Sequence, residues 1–171
     1  MYEPAEDSFL LQKYVKKYAK CKVLDVGTGS GIQAITAAEK SEDVLAIDIN
    51  PEAVKAVKQK GINAKVSDLF SNVKGKFDLI IFNPPYLPVD EREDEDSAIT
   101  TTGGEKGYEI IERFLKDAKK YLKSNGKILI IFSSLTGDVE RLMKKYDYKF
   151  KKLEEKKMFM EKLYVYLLNE Q

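Results

Sequence analysis

A nine-residue stretch constrains this chain more than any other. Val23-Leu24-Asp25-Val26 has strand composition and runs directly into Gly27-Thr28-Gly29-Ser30-Gly31, with Ile32 to Lys40 following at helical spacing. Three glycines at alternate positions let the backbone turn sharply and approach a ligand closely, and the helix behind them presents unpaired N–H groups. A strand, a glycine turn and a helix in that order call for a second, parallel strand reached by a right-handed crossover. A dinucleotide fingerprint would place its third glycine at position 32, which is Ile32, so a nicotinamide site is disfavoured.

The alternation continues along the chain. Lys22 to Val26, Val44 to Ile49, Ala64 to Ser67, Leu79 to Phe82 and Lys127 to Phe132 read as strands. Pro51 to Lys60 and Tyr108 to Leu122 read as helices, the first with Asn50 as its cap and Pro51 in its first turn. Asp7 to Tyr18 places Phe9, Leu10, Tyr14, Val15 and Tyr18 at mixed three- and four-residue spacing, as in a helix lying against the sheet, whose start brings Glu3 to Ser8 near whatever the sheet binds. Leu135 to Tyr146 reads as a last helix, and Tyr148 to Lys156 and Lys162 to Leu168 as strands turning at Met158 to Glu161. The expected fold is α/β: a seven-stranded, mostly parallel sheet closed by a C-terminal antiparallel hairpin, with helices on both faces.

Length fits one domain spanning residues 1–171, with residues 1–21 forming an N-terminal helix that caps the site. A net charge of +1 gives no bulk attraction to polyanions, so nucleic acid is not the expected partner. Only three of the 29 basic residues are arginine (Arg92, Arg113 and Arg141), a Lys/Glu-rich balance of the kind enriched in hyperthermophiles. The chain has no histidine, which removes the commonest zinc ligand and the commonest general base, and no metal site is expected. Its one cysteine, Cys21, precedes an apolar strand and is expected to be a buried structural thiol. Acidic residues Glu3, Glu6 and Asp7 stand where a signal peptide would be basic, and no apolar run reaches membrane-spanning length, so a cytoplasmic protein is expected.

Three further segments carry candidate chemistry. Asp48 closes the second strand, where doubly wound folds place a carboxylate against ribose hydroxyls, and Ile49 follows it. Asp68 and Leu69 follow the third strand. Asn83-Pro84-Pro85-Tyr86 leaves the buried strand Phe77 to Phe82 at its C-terminal edge, where open α/β sheets bind ligands. Two prolines fix that backbone, so the Asn83 side chain and the Pro84 carbonyl can be aimed with little entropy left to lose. Two oxygen acceptors suit the NH2 of an amide or amino-purine, whose lone pair is delocalised and must be held facing an electrophile. Tyr86 would stack on the planar group.

Together Tyr2-Glu3-Pro4-Ala5-Glu6-Asp7-Ser8, the Asp25 to Gly31 loop, Asn83 to Tyr86 and Gly103-Gly104-Glu105-Lys106-Gly107 resemble the HemK-type protein glutamine methyltransferases, in their short eukaryotic and archaeal branch. The resemblance implies a Rossmann-like class I methyltransferase fold and S-adenosyl-L-methionine as methyl donor. It implies Ser8, Asp25, Gly27, Gly29, Gly31, Asp48, Ile49, Asp68, Leu69 and Asn83 as the cofactor site, with Asp68 at the adenine amino group. Asp25 stands where the family commonly has glutamate, a shorter acid with less reach to the methionine amino group. The implied substrate is the glutamine of the Gly-Gly-Gln tip of a translation release factor. The implied partner is a small zinc-binding activator subunit docking on the edge strand Ala64 to Ser67.

Between Leu87 and Thr102 lie Asp90, Glu91, Glu93, Asp94, Glu95 and Asp96, offset by Arg92, an acidic loop suited to a basic peptide and opposed to a phosphate backbone. The alternatives that share the Asn83 chemistry are an adenine or cytosine amino-methyltransferase and a protein lysine methyltransferase. A cofactor-binding scaffold without turnover is the reading from outside catalysis.

Overall fold

A computed structural model describes residues 4–87, 104 and 106–170. The acidic run from Asp90 to Asp96, Tyr2, Glu3, Gly103 and Glu105 lie outside the described residues. In chain order the elements are α1 (Glu6–Tyr18), β1 (Lys22–Val26), α2 (Ile32–Ala38), β2 (Asp43–Asp48), α3 (Pro51–Gln59), β3 (Asn63–Val66), β4 (Phe77–Phe82), α4 (Glu109–Ala118), β5 (Leu122–Ser133), α5 (Val139–Lys145), β6 (Tyr148–Lys157) and β7 (Lys162–Glu170). They build one seven-stranded sheet in the order β3-β2-β1-β4-β5-β7-β6. Strands β1 to β5 run parallel and β7 returns antiparallel between β5 and β6.

The two-residue period of the strands divides the core between the faces of the sheet. Leu24, Val26, Ile80, Phe82, Ile128 and Ile130 pack with Phe114 and Leu115 of α4 and Leu142 and Met143 of α5. Val23, Leu79, Ile81, Leu129 and Ile131 pack with Leu10, Leu11 and Val15 of α1, Ala34 and Ala37 of α2, and Val54 and Val57 of α3. The central strands are therefore apolar on both sides, which is why they read as continuous runs. The order reverses between β1 and β4, both of which start from the middle of the sheet, and the crevice at such a point is where open α/β sheets hold ligands.

Several sequence expectations change at their ends. The last helix begins at Val139 and not at Leu135, because Gly137 adopts φ +85° and the Asp138 side chain accepts the Arg141 N–H at 3.0 Å as the cap. Helix α4 stops at Ala118, a 3-10 turn over Lys119–Tyr121 follows, and β5 starts at Leu122, five residues before the expected strand. Cys21 is exposed, against the expected burial. It sits in the left-handed region at φ 52° in the tight α1–β1 turn, which projects its side chain outward while its carbonyl accepts the Ser41 hydroxyl. Among the described residues no helix is long and apolar enough to cross a membrane.

Candidate active site

The glycine loop is pinned from beneath by Asp25. Its Oδ2 accepts the Thr28 hydroxyl at 2.6 Å and the Ala34 N–H of α2 at 3.1 Å, and the side chain is 1% exposed. Burial pushes the Asp25 carboxyl up to about 7, against the opposing pull of those two hydrogen bonds. The loop is closed above by Thr28 N–H on Ile47 C=O (2.9 Å) and Gly31 N–H on Thr28 C=O (2.8 Å). Gly27, Gly29 and Gly31 all have positive φ, at 66°, 51° and 83°. At Gly31 a Cβ would also lie 2.8 Å from Val57 Cγ2, so glycine is required there by both backbone and space.

Asp48 ends β2 beside that loop. Its Oδ2 accepts the Gly29 N–H and its Oδ1 the Asn50 N–H, both at 2.8 Å, which fixes the carboxylate plane while each oxygen keeps lone-pair capacity for a further donor. Ile49 beside it is 61% exposed, an apolar surface suited to a flat ring. Across the crevice Leu69 holds φ 45°, a left-handed conformation that costs a branched side chain energy, and the Ser67 hydroxyl stabilises it by donating to the Leu69 carbonyl at 2.7 Å. Asp68 is paired with Arg113 of α4 at 2.8 Å. Both are half-exposed, so the pair is a modest contact.

The acceptor side is organised by a residue for which sequence reasoning had assigned no role. Asp7, in the first turn of α1, is 5% exposed and points into the sheet edge. Its Oδ1 accepts the Ser8 N–H at 2.6 Å and faces the Ser8 hydroxyl at 3.3 Å. Its Oδ2 accepts Asn83 Nδ2 at 3.3 Å and the Tyr86 hydroxyl at 3.1 Å. A carboxylate only accepts, so the Asn83 amide must turn its NH2 to Asp7 and its oxygen the other way. That oxygen, Asn83 Oδ1, is buried and has no hydrogen-bond partner. Tyr86 packs its ring against the core while its hydroxyl is committed to Asp7, and Pro84 is buried between them in sequence. Ser8 is held in turn by Gln33 of α2, which donates to its carbonyl at 2.9 Å.

Every predicted site residue thus stands along the C-terminal edge of β1, β2, β3 and β4 or on α1 above it. Asp7, Thr28 and Arg113 join them. The only sequence signal for Asp7 was its place in the Glu3 to Ser8 run.

The sequence profile of the methyltransferase small domain family matches residues 6–160. The chain belongs to that family. A protein of Methanocaldococcus jannaschii, provisionally named protein N5-glutamine methyltransferase, is 45% identical over 156 residues, covering 84% of this chain and 78% of its own length. The release factor glutamine methyltransferase of Streptococcus pneumoniae is 34% identical over 72% of this chain, which spans 50% of that longer protein. Among solved structures, a chain of the E. cuniculi Mtq2–Trm112 complex, responsible for methylation of the eRF1 translation termination factor, superposes with a TM-score of 0.80 at 26% identity, covering 99% of this chain and 98% of that one. Within its family the chain is a HemK-type methyltransferase, and the cofactor of such enzymes is S-adenosyl-L-methionine. The residues fit that group: a loop whose three glycines admit close approach, a part-exposed carboxylate at Asp48 for a diol, and the bare side chain of Ile49 for a base.

Proposed function

We propose that this methyltransferase acts on the side-chain amide of a glutamine in the Gly-Gly-Gln tip of a translation release factor. The observation that carries this reading is the Asn83 side chain: a buried oxygen without a donor, on an amide whose orientation Asp7 dictates. A buried unsatisfied acceptor costs about 1–3 kcal/mol, and a substrate NH2 removes that cost by donating to it. The Pro84 carbonyl takes the second N–H in this reading. Held at both hydrogens, the nitrogen presents its out-of-plane lone pair, and orientation supplies most of the acceleration.

When bound, S-adenosyl-L-methionine supplies an electrophilic methyl group on sulfur. Gly27, Gly29, Gly31, Asp48, Ile49, Asp68, Leu69 and Ser8 would hold it, with Asp25 keeping the loop in shape. No strong base is required of the chain, which has no histidine, because an alkylated amide nitrogen is acidic enough to lose its proton to water. Relatives named for glutamine or release-factor methylation support the acceptor.

The same reading includes residues 1–171 as one catalytic domain, a cytoplasmic location, and a small zinc-binding activator on the β3 edge. In support of the last, β3 pairs only with β2 among the described residues, Val66 is 45% exposed, and an open groove of about 470 Å3 beside it is lined by Pro51, Val54, Lys55, Lys58, Gln59 and Val66. The test is labelled methyl transfer to a release factor, to the same factor with its tip glutamine changed to alanine, to nucleic acid and to histone-like protein, with and without a zinc-ribbon subunit. Label on the intact factor alone is the expected result; label on the alanine variant or on nucleic acid would refute the assignment.

A further inference from the structure

The β6–β7 hairpin carries a feature that methyl transfer itself does not use. At its tip Phe159 is 98% exposed and Met160 81% exposed, although the turn beneath them is anchored: Met158 packs against the core and its N–H donates to the Glu161 carbonyl at 2.8 Å. The adjoining β5–α5 loop is stitched to the hairpin by Ser134 N–H on Lys162 C=O (2.8 Å) and Lys162 N–H on Ser134 Oγ (3.0 Å), and it adds Leu135, 48% exposed. Beside these apolar groups, Glu161 Oε2 is buried with no hydrogen-bond partner. Ion pairs border the hairpin, Lys162 and Lys152 with Glu155 and Lys156 with Glu6. Exposed apolar groups with a polar border mark interaction surfaces.

The strand register shows which surface this is. Phe82, the residue before Asn83, pairs with Ile130 on β5, and β5 continues through Ile131 and Phe132 to Ser133, which pairs with Leu163 at the start of β7. The hairpin tip therefore rises from the same sheet edge as Asn83, two strand spacings or about 10 Å to the side, and β5 reaches about 10 Å past the level of Phe82 before the tip begins. It stands on the acceptor side, away from the β1–β3 edge that holds the glycine loop and Asp48. A polypeptide advances about 3.3 Å per extended residue, so a chain that places a glutamine at Asn83 meets the tip within several residues. It also brings N–H donors, which a hydrocarbon surface lacks and Glu161 Oε2 requires.

We propose that Phe159, Met160 and Glu161 form the docking surface for the protein that carries the acceptor glutamine, the two side chains seating in its apolar surface and one of its N–H groups donating to Glu161. This rests on the glutamine-methylation reading. The test compares the enzyme with a Phe159→Ser/Met160→Ser variant, both assayed on a release factor and on a Gly-Gly-Gln peptide too short to reach the tip. Both positions are solvent-facing, so the variant is expected to fold and to bind S-adenosyl-L-methionine as before. The expected result is a KM for the factor raised about tenfold or more, as for loss of buried interface anchors, with kcat and the short-peptide KM unchanged. An unchanged factor KM would overturn the docking assignment alone, as would an equal rise for factor and peptide, or a dimer of the enzyme that the substitutions dissolve. Failure of the unsubstituted enzyme to label the factor's glutamine would instead overturn the reading of the site, and the docking surface with it.

Discussion

The two halves of the crevice satisfy their polar atoms in opposite ways. On the cofactor side, Asp25 and Asp48 already accept hydrogen bonds from the loop they shape, so the glycine turn is held by the protein's own groups. On the acceptor side, Asp7 takes the donors of Asn83 and Tyr86, and the Asn83 oxygen is left buried and unmatched. One half is a finished scaffold; the other stores a demand that a substrate N–H meets. Substitutions in the first half should therefore show in binding and stability, and those in the second in turnover.

The sharpest way to break this contrast is at Asn83. Asn83→Ala should lower kcat by about a hundredfold to a thousandfold, the loss typical of removing one pre-organised hydrogen-bonding group from a reacting centre. Calorimetry should find cofactor affinity unchanged; a parallel loss of affinity would merge the two halves into one. Asp7→Asn comes next. The carboxylate that both Asn83 and Tyr86 donate to becomes a neutral amide, the orientation of Asn83 is no longer dictated, and misorientation alone can lower kcat by about a hundredfold. Were kcat intact and only the cofactor KM raised, Asp7 would belong to the cofactor side through Ser8.

The contrast also bears on what a sequence can reveal. The finished half was legible because its determinants are local: the glycine spacing, the acid that closes β2, and the Asn50 cap, whose side chain accepts the Glu52 N–H at 2.9 Å. The sheet was legible for the same reason, since Leu79 to Phe82 and Ile128 to Ile131 are apolar on both faces and can only be interior strands. Asp7 was not, because Glu6 and Asp7 are adjacent acids, and only the docking of α1 decides that Asp7 turns inward while Glu6 meets Lys156. Arg113 reaches Asp68 from 45 residues away, a contact that no spacing encodes. Cys21 and the start of α5 were misread where single left-handed residues, Cys21 and Gly137, override the trend of their neighbours.

A third experiment probes the finished half directly. Asp48→Ala should weaken cofactor binding about tenfold or more, since hydrogen bonds to a charged group contribute about 1.5–3 kcal/mol each. Turnover at saturating cofactor should stay near that of the unsubstituted enzyme. Reduced kcat at saturation would mean that the Gly29 N–H contact also positions the acceptor side.

A fourth experiment, read in stability and not in turnover, tests whether Asp25 is a structural pin. Its carboxyl lies near 7 in the fold, while an unfolded aspartate has its ordinary value of about 4. Between those values the folded state holds a proton that the unfolded chain has released. Linkage then makes the Asp25 contribution greatest below pH 4, lets it fall as pH rises toward 7, and leaves it level above. Asp25→Asn carries no such titration and keeps an oxygen for Thr28 and Ala34. Denaturant unfolding of the two proteins across this range should show the stability of the unsubstituted chain declining relative to the variant by a few kcal/mol from pH 4 to 7. A difference that is flat with pH would mean the carboxyl ionises at its ordinary value, so that the loop carries a negative charge beneath the glycines at neutral pH.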